Sequence, residues 1–384
     1  MPSAWLSDHV AGCVLGAAIG DALGSPVEKL SPADICARFG GEIDGFAPPN
    51  PRNRGDGRHK GDARVSDDTL MTVALARVYL TLRRHLTAHD AVQLADLIVA
   101  PDTYVPEHDR RMPLIDRLFY PEKWLFHRLR LAAADPREAG IGNVVNCGCA
   151  MYVAPIGVMN AGDPDAAYAE AIDWAASHTY SYGREAAGVM AGAVAAALRP
   201  DATWQDIVGV AQALARDGTR EAISAVLAAA CELPLDADVN ERAGVLRAAI
   251  EPFDTVRGPL ADVTQIARYP SRLHSIEELP LALAFLVWGR GDYQRTVLGA
   301  VNYGRDSDSI AGMAGALAGA LGGRSGIPGA WIVAVERVNR LELGPLACEL
   351  ADLAAEIYAA DRARMAERHA AIGEHLTARA VGRR

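Results

Sequence analysis

The stretch "GRDSDSIAGMAGALAGALGG", Gly304 to Gly323, sets Asp306, Ser307, Asp308 and Ser309 in front of an apolar run. Ile310, Met313, Ala314, Leu317 and Leu321 recur at i, i+3, i+4, i+7 and i+11, one face of an α-helix, so the carboxylates fall at its N-terminus. One carboxylate would cap such a helix; a second brings like charge to the same place and needs the helix dipole or a cation to justify it. The pattern occurs twice. "VSDDTLMTV", Val65 to Val73, puts Ser66, Asp67, Asp68 and Thr69 ahead of Met71, Ala74, Leu75, Val78 and Leu82 in the same helical spacing.

Working outward, half of the 384 residues are hydrophobic but only 6% are aromatic. The excess is alanine, which indicates helices packed closely through small side chains and an all-α fold. A formal net charge of -10 excludes a nucleic-acid partner held by phosphate contacts. Six cysteines in a chain of this length make no disulfide framework, and no basic-plus-apolar leader opens the sequence, so reduced thiols and a cytoplasmic location are expected. Cys147 and Cys149 stand one glycine apart, the wrong spacing for a redox motif or a zinc knuckle, and no metal is assigned to them. The longest apolar runs, "GVMAGAVAAAL" and "IAGMAGALAGALGG", fall short of the roughly 20 residues that span a bilayer, so no membrane is expected.

The segment "AGCVLGAAIGDALGSPVE" reads as a core helix ended by Gly24, Ser25 and Pro26. From Gly40 to Asp67 the chain is crowded with Gly, Pro, Asn, Asp and basic residues and predicts a long loop, the kind often used for function. Residues 100 to 137 read as an irregular or short-helical surface insertion. "GNVVNCGCAMYVAPIGVMNAG" brings Gly-rich turns around Gly148, where backbone could approach a ligand. Helical patterns then resume, with a more mixed segment at 236 to 278, and neither a linker nor a repeat divides the chain. A single domain over residues 1–384 is the simplest reading.

Glu28, Asp67, Asp68, Asp306 and Asp308, with hydroxyls from Ser66, Thr69, Ser307 and Ser309, are hard oxygen donors suited to Mg²⁺, Ca²⁺ or Mn²⁺. Brought together they would raise one another's pKa unless cations compensated them, and two divalent ions would nearly neutralise five carboxylates. Helix capping would account for either acidic cluster alone, with the remaining carboxylates in water. Two such clusters, each before a Gly/Ala-rich helix, favour a metal site.

In these segments the chain resembles the ADP-ribosylglycohydrolases. "GAAIGDALGSPVE" is similar to that family's first helix and loop, "SDDT" to its TDDT motif, and "CAMYVAPIG" to its small-Met-Arg-x-x-Pro segment. "SHTYSYGREAAGVMAGAVAAA" resembles its His-containing helix pair, and "VNYGRDSDSIAGMAGALAGALGG" its GGDTDT motif. The resemblance runs over roughly residues 11 to 335 in the family's order, leaving a helical C-terminal extension. It implies an all-α fold with a binuclear Mg²⁺ or Mn²⁺ centre, hydrolysing a glycosidic bond at C1 of an ADP-linked ribose. Carried over, Ser66, Asp67, Asp68, Asp306, Asp308 and Ser309 become metal ligands, and Glu28, Asp67, Asp68 and Asp306 the catalytic set. Asp21 would support the ligands from behind. The implied partners are an ADP-ribosylated protein or a small ribosylated metabolite. A nucleoside-like substrate and a non-catalytic nucleotide-binding or structural role are the alternatives.

Tyr152 stands where the family has Arg after Met151, and Arg305 where it has the second glycine of GGDTDT. A guanidinium beside Asp306 and Asp308 could substitute for one of the two ions or grip a substrate phosphate. Gly148, Met151, Tyr152, His178, Tyr182 and Arg305 form the candidate substrate-binding set. For His178 a hydrogen-bonded structural role is an equal alternative, and for Tyr182 simple packing in a helix-helix turn is the commoner role. The basic run Arg52, Arg54, Arg58, His59, Lys60 and Arg64 could meet a diphosphate or stay solvated.

Overall fold

A computed structural model describes residues 2–49, 60–100, 103–106, 108–253 and 276–381. The helices in chain order are α1 (Ala4–Gly24), α2 (Pro32–Phe39), α3 (Asp67–Leu82), α4 (Ala91–Leu97), α5 (Tyr120–Phe126), α6 (Ala154–Met159), α7 (Pro164–Ala175) and α8 (Tyr182–Ala197). They continue as α9 (Trp204–Leu214), α10 (Asp217–Glu232), α11 (Val239–Ile250), α12 (Glu278–Trp288), α13 (Tyr293–Tyr303), α14 (Ser307–Gly322), α15 (Gly329–Asn339) and α16 (Leu343–Val381). The fold is all-α. The mixed segment 236 to 278 holds α11, the start of α12 and, at 254–275, residues outside those described. The 100–137 insertion contributes the strands described, an antiparallel hairpin of Thr103–Val105 and Arg110–Met112, followed by α5.

The central contact is between α1 and α14, which run antiparallel, and glycine makes it. A Cβ built on Gly12 would lie 2.1 Å from the carbonyl oxygen of Gly319, on Gly16 2.3 Å from that of Gly315, on Gly20 2.0 Å from that of Ala311, and on Gly24 2.3 Å from that of Ser307. The four glycines are four residues apart and therefore share one face of α1. Only their missing side chains let the two backbones touch along this whole length. The consequence is positional: the end of α1, with Asp21, Gly24 and then Glu28, is laid against the start of α14, with Asp306 and Asp308.

By length and composition, the stretch Ala4–Val27 passes for a membrane span, a feature the apolar runs considered from sequence did not include. The window that passes lies wholly inside the protein, so here it is a core helix. The apolar core is continuous from Val10 to Ile357, and α3, α8 and α12 close around the central pair.

Candidate metal centre

Asp21 does the first piece of assembly. Its carboxylate, fully buried on α1, accepts the backbone N–H groups of Ser66 at 2.9 and 3.0 Å and of Thr69 at 3.2 Å, the Thr69 hydroxyl at 2.5 Å and the Ser25 hydroxyl at 3.1 Å. These are the orphan donors of the first turn of α3, so Asp21 works as a capping residue from another helix and fixes where Asp67 and Asp68 point. The Ser66 hydroxyl accepts from the Asp68 N–H and donates to Asp68 Oδ2 at 2.9 Å.

The Glu28 turn is sewn to the other cluster by backbone. The N–H of Lys29 donates to the carbonyl of Arg305 at 2.6 Å, and the N–H of Arg305 to that of Leu30 at 3.0 Å. Gly304 has φ +73° and packs against the Leu30 carbonyl, and Arg305 itself has φ +59°, a left-handed conformation that favours glycine.

The result brings Glu28, Asp68, Asp306 and Asp308 together from three distant segments. Asp21, Asp68 and Asp308 present carboxylate oxygens within 4.8 Å of one another, and so do Glu28, Asp306 and Asp308. A third group joins Asp306 to Cys147 and Glu278, whose Sγ and carboxylate oxygen lie within the same distance; the Cys147 thiol donates to Asp306 at 3.4 Å. Asp68 Oδ1 and Asp308 Oδ1 are buried without a hydrogen-bond partner among the described residues. Burial, together with Asp308, Asp21 and Asp67, pushes the Asp68 carboxyl well above the usual range. Asp306 is raised likewise by burial, then Glu278, Asp308 and Glu28, and Asp21 is pushed up to about 6 by burial and Asp308.

Among the described residues, one cation answers this charge directly. Lys60 Nζ lies 2.5 Å from Glu28 Oε2 and 2.6 Å from Asp308 Oδ2. Burial alone would lower its pKa, but Asp308, Glu28 and Asp67 together outweigh that and hold the ammonium well above the ordinary lysine value. Of the other basic-loop residues, Arg64 pairs with Asp62, while Arg52, Arg54, Arg58 and His59 lie outside the described residues.

Other candidates sit elsewhere. The Arg305 guanidinium turns away from Asp306 and Asp308 to Glu277, with Nε 2.6 Å and Nη2 2.7 Å from its carboxylate. Asp67 Oδ2 accepts the backbone N–H of Phe119 at 3.1 Å, and Arg117 donates to the Val65 carbonyl at 3.0 Å, so the insertion is fastened to the SDD turn. Tyr152 and His178 are buried as a stacked pair, with the Tyr hydroxyl 3.0 Å from Nδ1 and accepting from Trp174 Nε1 at 3.3 Å. Burial drives the His178 pKa down to about 4. Met151 is buried, Tyr182 half-buried at the start of α8, and Gly148 sits against the Glu122 side chain. The Ser309 hydroxyl lies beside Cys147. Sequence reasoning passed over Glu278 and set Cys147 aside on its spacing from Cys149; "EE" at 277–278, a second acidic doublet at a helix start, was the signal for the first.

The profile of the family described as ADP-ribosylglycohydrolase matches residues 2–366. The chain belongs to that family. The match takes in the 100–137 insertion and much of α16 as well as the motif-bearing core. Among proteins, the chain is 27% identical over 358 residues to the uncharacterized protein YegU of Escherichia coli (strain K12), covering 90% of this chain and 97% of that one. It is 28% identical over 356 residues to an uncharacterized protein of Archaeoglobus fulgidus, covering 91% and 97%. Among solved structures it matches an ADP-ribosylglycohydrolase-related protein complex with a TM-score of 0.63 at 22% identity, over 91% of this chain and 99% of that one, a likeness of fold. Membership implies a hydrolase of glycosidic bonds.

Proposed function

We propose that the chain is a divalent-cation-dependent glycohydrolase that cleaves the bond at C1 of the ribose in an ADP-ribosylated protein or a related small riboside. The observation that carries the reading is the pair of orphaned oxygens, Asp68 Oδ1 and Asp308 Oδ1. A buried carboxylate oxygen without a donor is costly, and hard oxygens converging from α1, α3 and α14 suit Mg²⁺ or Mn²⁺. Asp68 and Asp308, with Asp21 behind them, would hold the ion, with Ser66 and Ser309 contributing hydroxyl oxygens and Asp306 and Asp67 beside them. When bound, the ion would orient ribose hydroxyls and acidify a water. Glu28, at the mouth of the cluster and mostly but not fully buried, is the carboxylate able to pass a proton at the scissile bond. The retained carboxylates argue against a non-catalytic role, and six unpaired cysteines support a reducing, cytoplasmic setting.

The test is release of ADP-ribose from ADP-ribosyl-arginine and ADP-ribosyl-serine peptides, run beside small nucleosides, with Mg²⁺ or Mn²⁺ and with EDTA. Turnover of one of these that EDTA abolishes, and that Asp306→Asn lowers by about 100-fold or more, is expected. Turnover indifferent to both would remove the metal from the reaction.

A further inference from the structure

Of the three groups, two share Asp308 and consist of carboxylates alone, and the chain fills one of these two with its own side chain. Asp308 divides its oxygens: Oδ2 is held by the Lys60 ammonium, while Oδ1 has no partner among the described residues and belongs with Asp68 and Asp21. On the other side Lys60 holds Glu28 Oε2, so it grips two of the three residues of the Glu28–Asp306–Asp308 group. Its side chain is 14% exposed.

The backbone that delivers Lys60 is fixed. Gly61, at φ +127°, packs against Pro49 so closely that a Cβ would come within 2.5 Å of the Pro49 nitrogen. The N–H of Asp62 donates to the Ala47 carbonyl at 2.9 Å. Buried Asn339 of α15 clamps the same strand of chain, donating to the Ala63 carbonyl at 2.8 Å and accepting the Val65 N–H at 3.1 Å. A side chain anchored this way does not wander into the cluster; it is built to reach it.

An ammonium and a divalent ion cannot share the same oxygens, because their repulsion at contact is twice that of two unit charges. We propose that Lys60 is the permanent monovalent cation of the Glu28 side, so that the centre takes one divalent ion, at the Asp21–Asp68–Asp308 group, where two are otherwise expected. The inference rests on the metal reading above but concerns the count, which metal binding alone reports.

The experiment strips the full-length protein with EDTA, titrates it with Mn²⁺ by calorimetry, and counts bound manganese by elemental analysis after desalting. Wild type should bind one Mn²⁺ per chain. Lys60→Met should bind two, and Lys60→Arg, which keeps the charge, one. Two ions in wild type, or one in Lys60→Met at unchanged affinity, would overturn the assignment while leaving the metal reading intact. No manganese in either protein would overturn both. Melting curves of each variant report folding, and should Lys60→Met fail to fold, two ions in wild type or in Lys60→Arg would still overturn the assignment.

Discussion

Gly20→Ala tests the contact that assembles the site. The added Cβ would lie 2.0 Å from the Ala311 carbonyl oxygen, against 3.4 Å for ordinary contact, so α1 and α14 must part by about 1.4 Å at that level. Neither atom is the end of a flexible side chain, and the helices cannot relax locally because Gly16 and Gly24 make the same backbone contact on either side. A gap of about 1 Å forfeits up to half the dispersion attraction of the atoms it separates, which places the cost at the upper end of overpacking, about 3 kcal/mol or more. At roughly 2 °C per kcal/mol for a large domain, the melting temperature should fall by about 6 °C or more. The control is Gly209→Ala in α9, where a Cβ meets nothing within 4 Å and the change should raise stability by about 0.5–1 kcal/mol. Because Asp21 rides on the displaced helix, the added stability conferred by Mg²⁺ should also shrink in Gly20→Ala. Melting of Gly20→Ala within 1 °C of wild type (about 0.5 kcal/mol) would refute the claim that these backbones touch.

Three further outcomes follow from the same geometry. Arg305→Gly relieves a left-handed residue by about 1 kcal/mol but strips buried Glu277 of its nearest cation, leaving Arg247 at 3.5 Å and the Tyr303 hydroxyl at 3.1 Å; a net loss of about 1–3 kcal/mol in denaturant unfolding is expected, with the Mn²⁺ count unchanged. Asp21 has a folded pKa of about 6, above the free value of 3.8, so its contribution is full below about pH 4 and lost as pH rises through 6; Asp68 and Asp306 are raised further and titrate with it, so metal-free protein should go on losing stability as pH rises through and beyond 6. Mg²⁺ should restore this loss, and the difference between EDTA and Mg²⁺ melts cancels His178, which is buried neutral and destabilises only on the acid side. His85, held between Glu170 at 2.6 Å and Asp361 at 2.9 Å, has its pKa raised to about 9 chiefly by the Glu170 hydrogen bond. It therefore stabilises below about pH 6.5 and stops doing so as pH rises through 9, a change of about 1–2 kcal/mol after screening that His85→Gln should abolish.

The helices were legible because their cause is local. The spacing of Met71 to Leu82 and of Ile310 to Leu321 predicts α3 and α14, and Ser66 caps the first as its residue type suggests. The convergence of Glu28 with Asp306 and Asp308 was legible too, through the family's motif order, although its physical cause lay unused in the sequence: Gly12, Gly16, Gly20 and Gly24 at period four, matched by Ser307, Ala311, Gly315 and Gly319. The hairpin at 103–112 was not legible, since two three-residue strands leave no periodicity to count. Nor was the inward burial of Tyr152, whereas for His178 the buried, stacked pairing matches the hydrogen-bonded structural alternative.

Arg305 and Lys60 show why charge beside a motif does not fix charge in a site. Arg305 adjoins Asp306 in sequence, yet a residue at φ +59° throws its side chain off the line of the helix that follows, and Glu277 is there to take it. Lys60 lies six residues before Ser66 in a run of basic residues that reads as solvated, yet the clamp of Gly61 on Pro49 and of Asn339 on Ala63 and Val65 carries it inward. Adjacency in sequence set the expectation; backbone conformation decided which cation the carboxylates meet. The same logic explains the two doublets "DD" at 67–68 and "EE" at 277–278. In each, successive residues at a helix start point about 100° apart, so one carboxylate can enter the cluster while its neighbour is spent on the surrounding frame, Asp67 on the Phe119 N–H and Glu277 on Arg305. A doublet thus lets one helix start serve the acidic cluster and the scaffold at once.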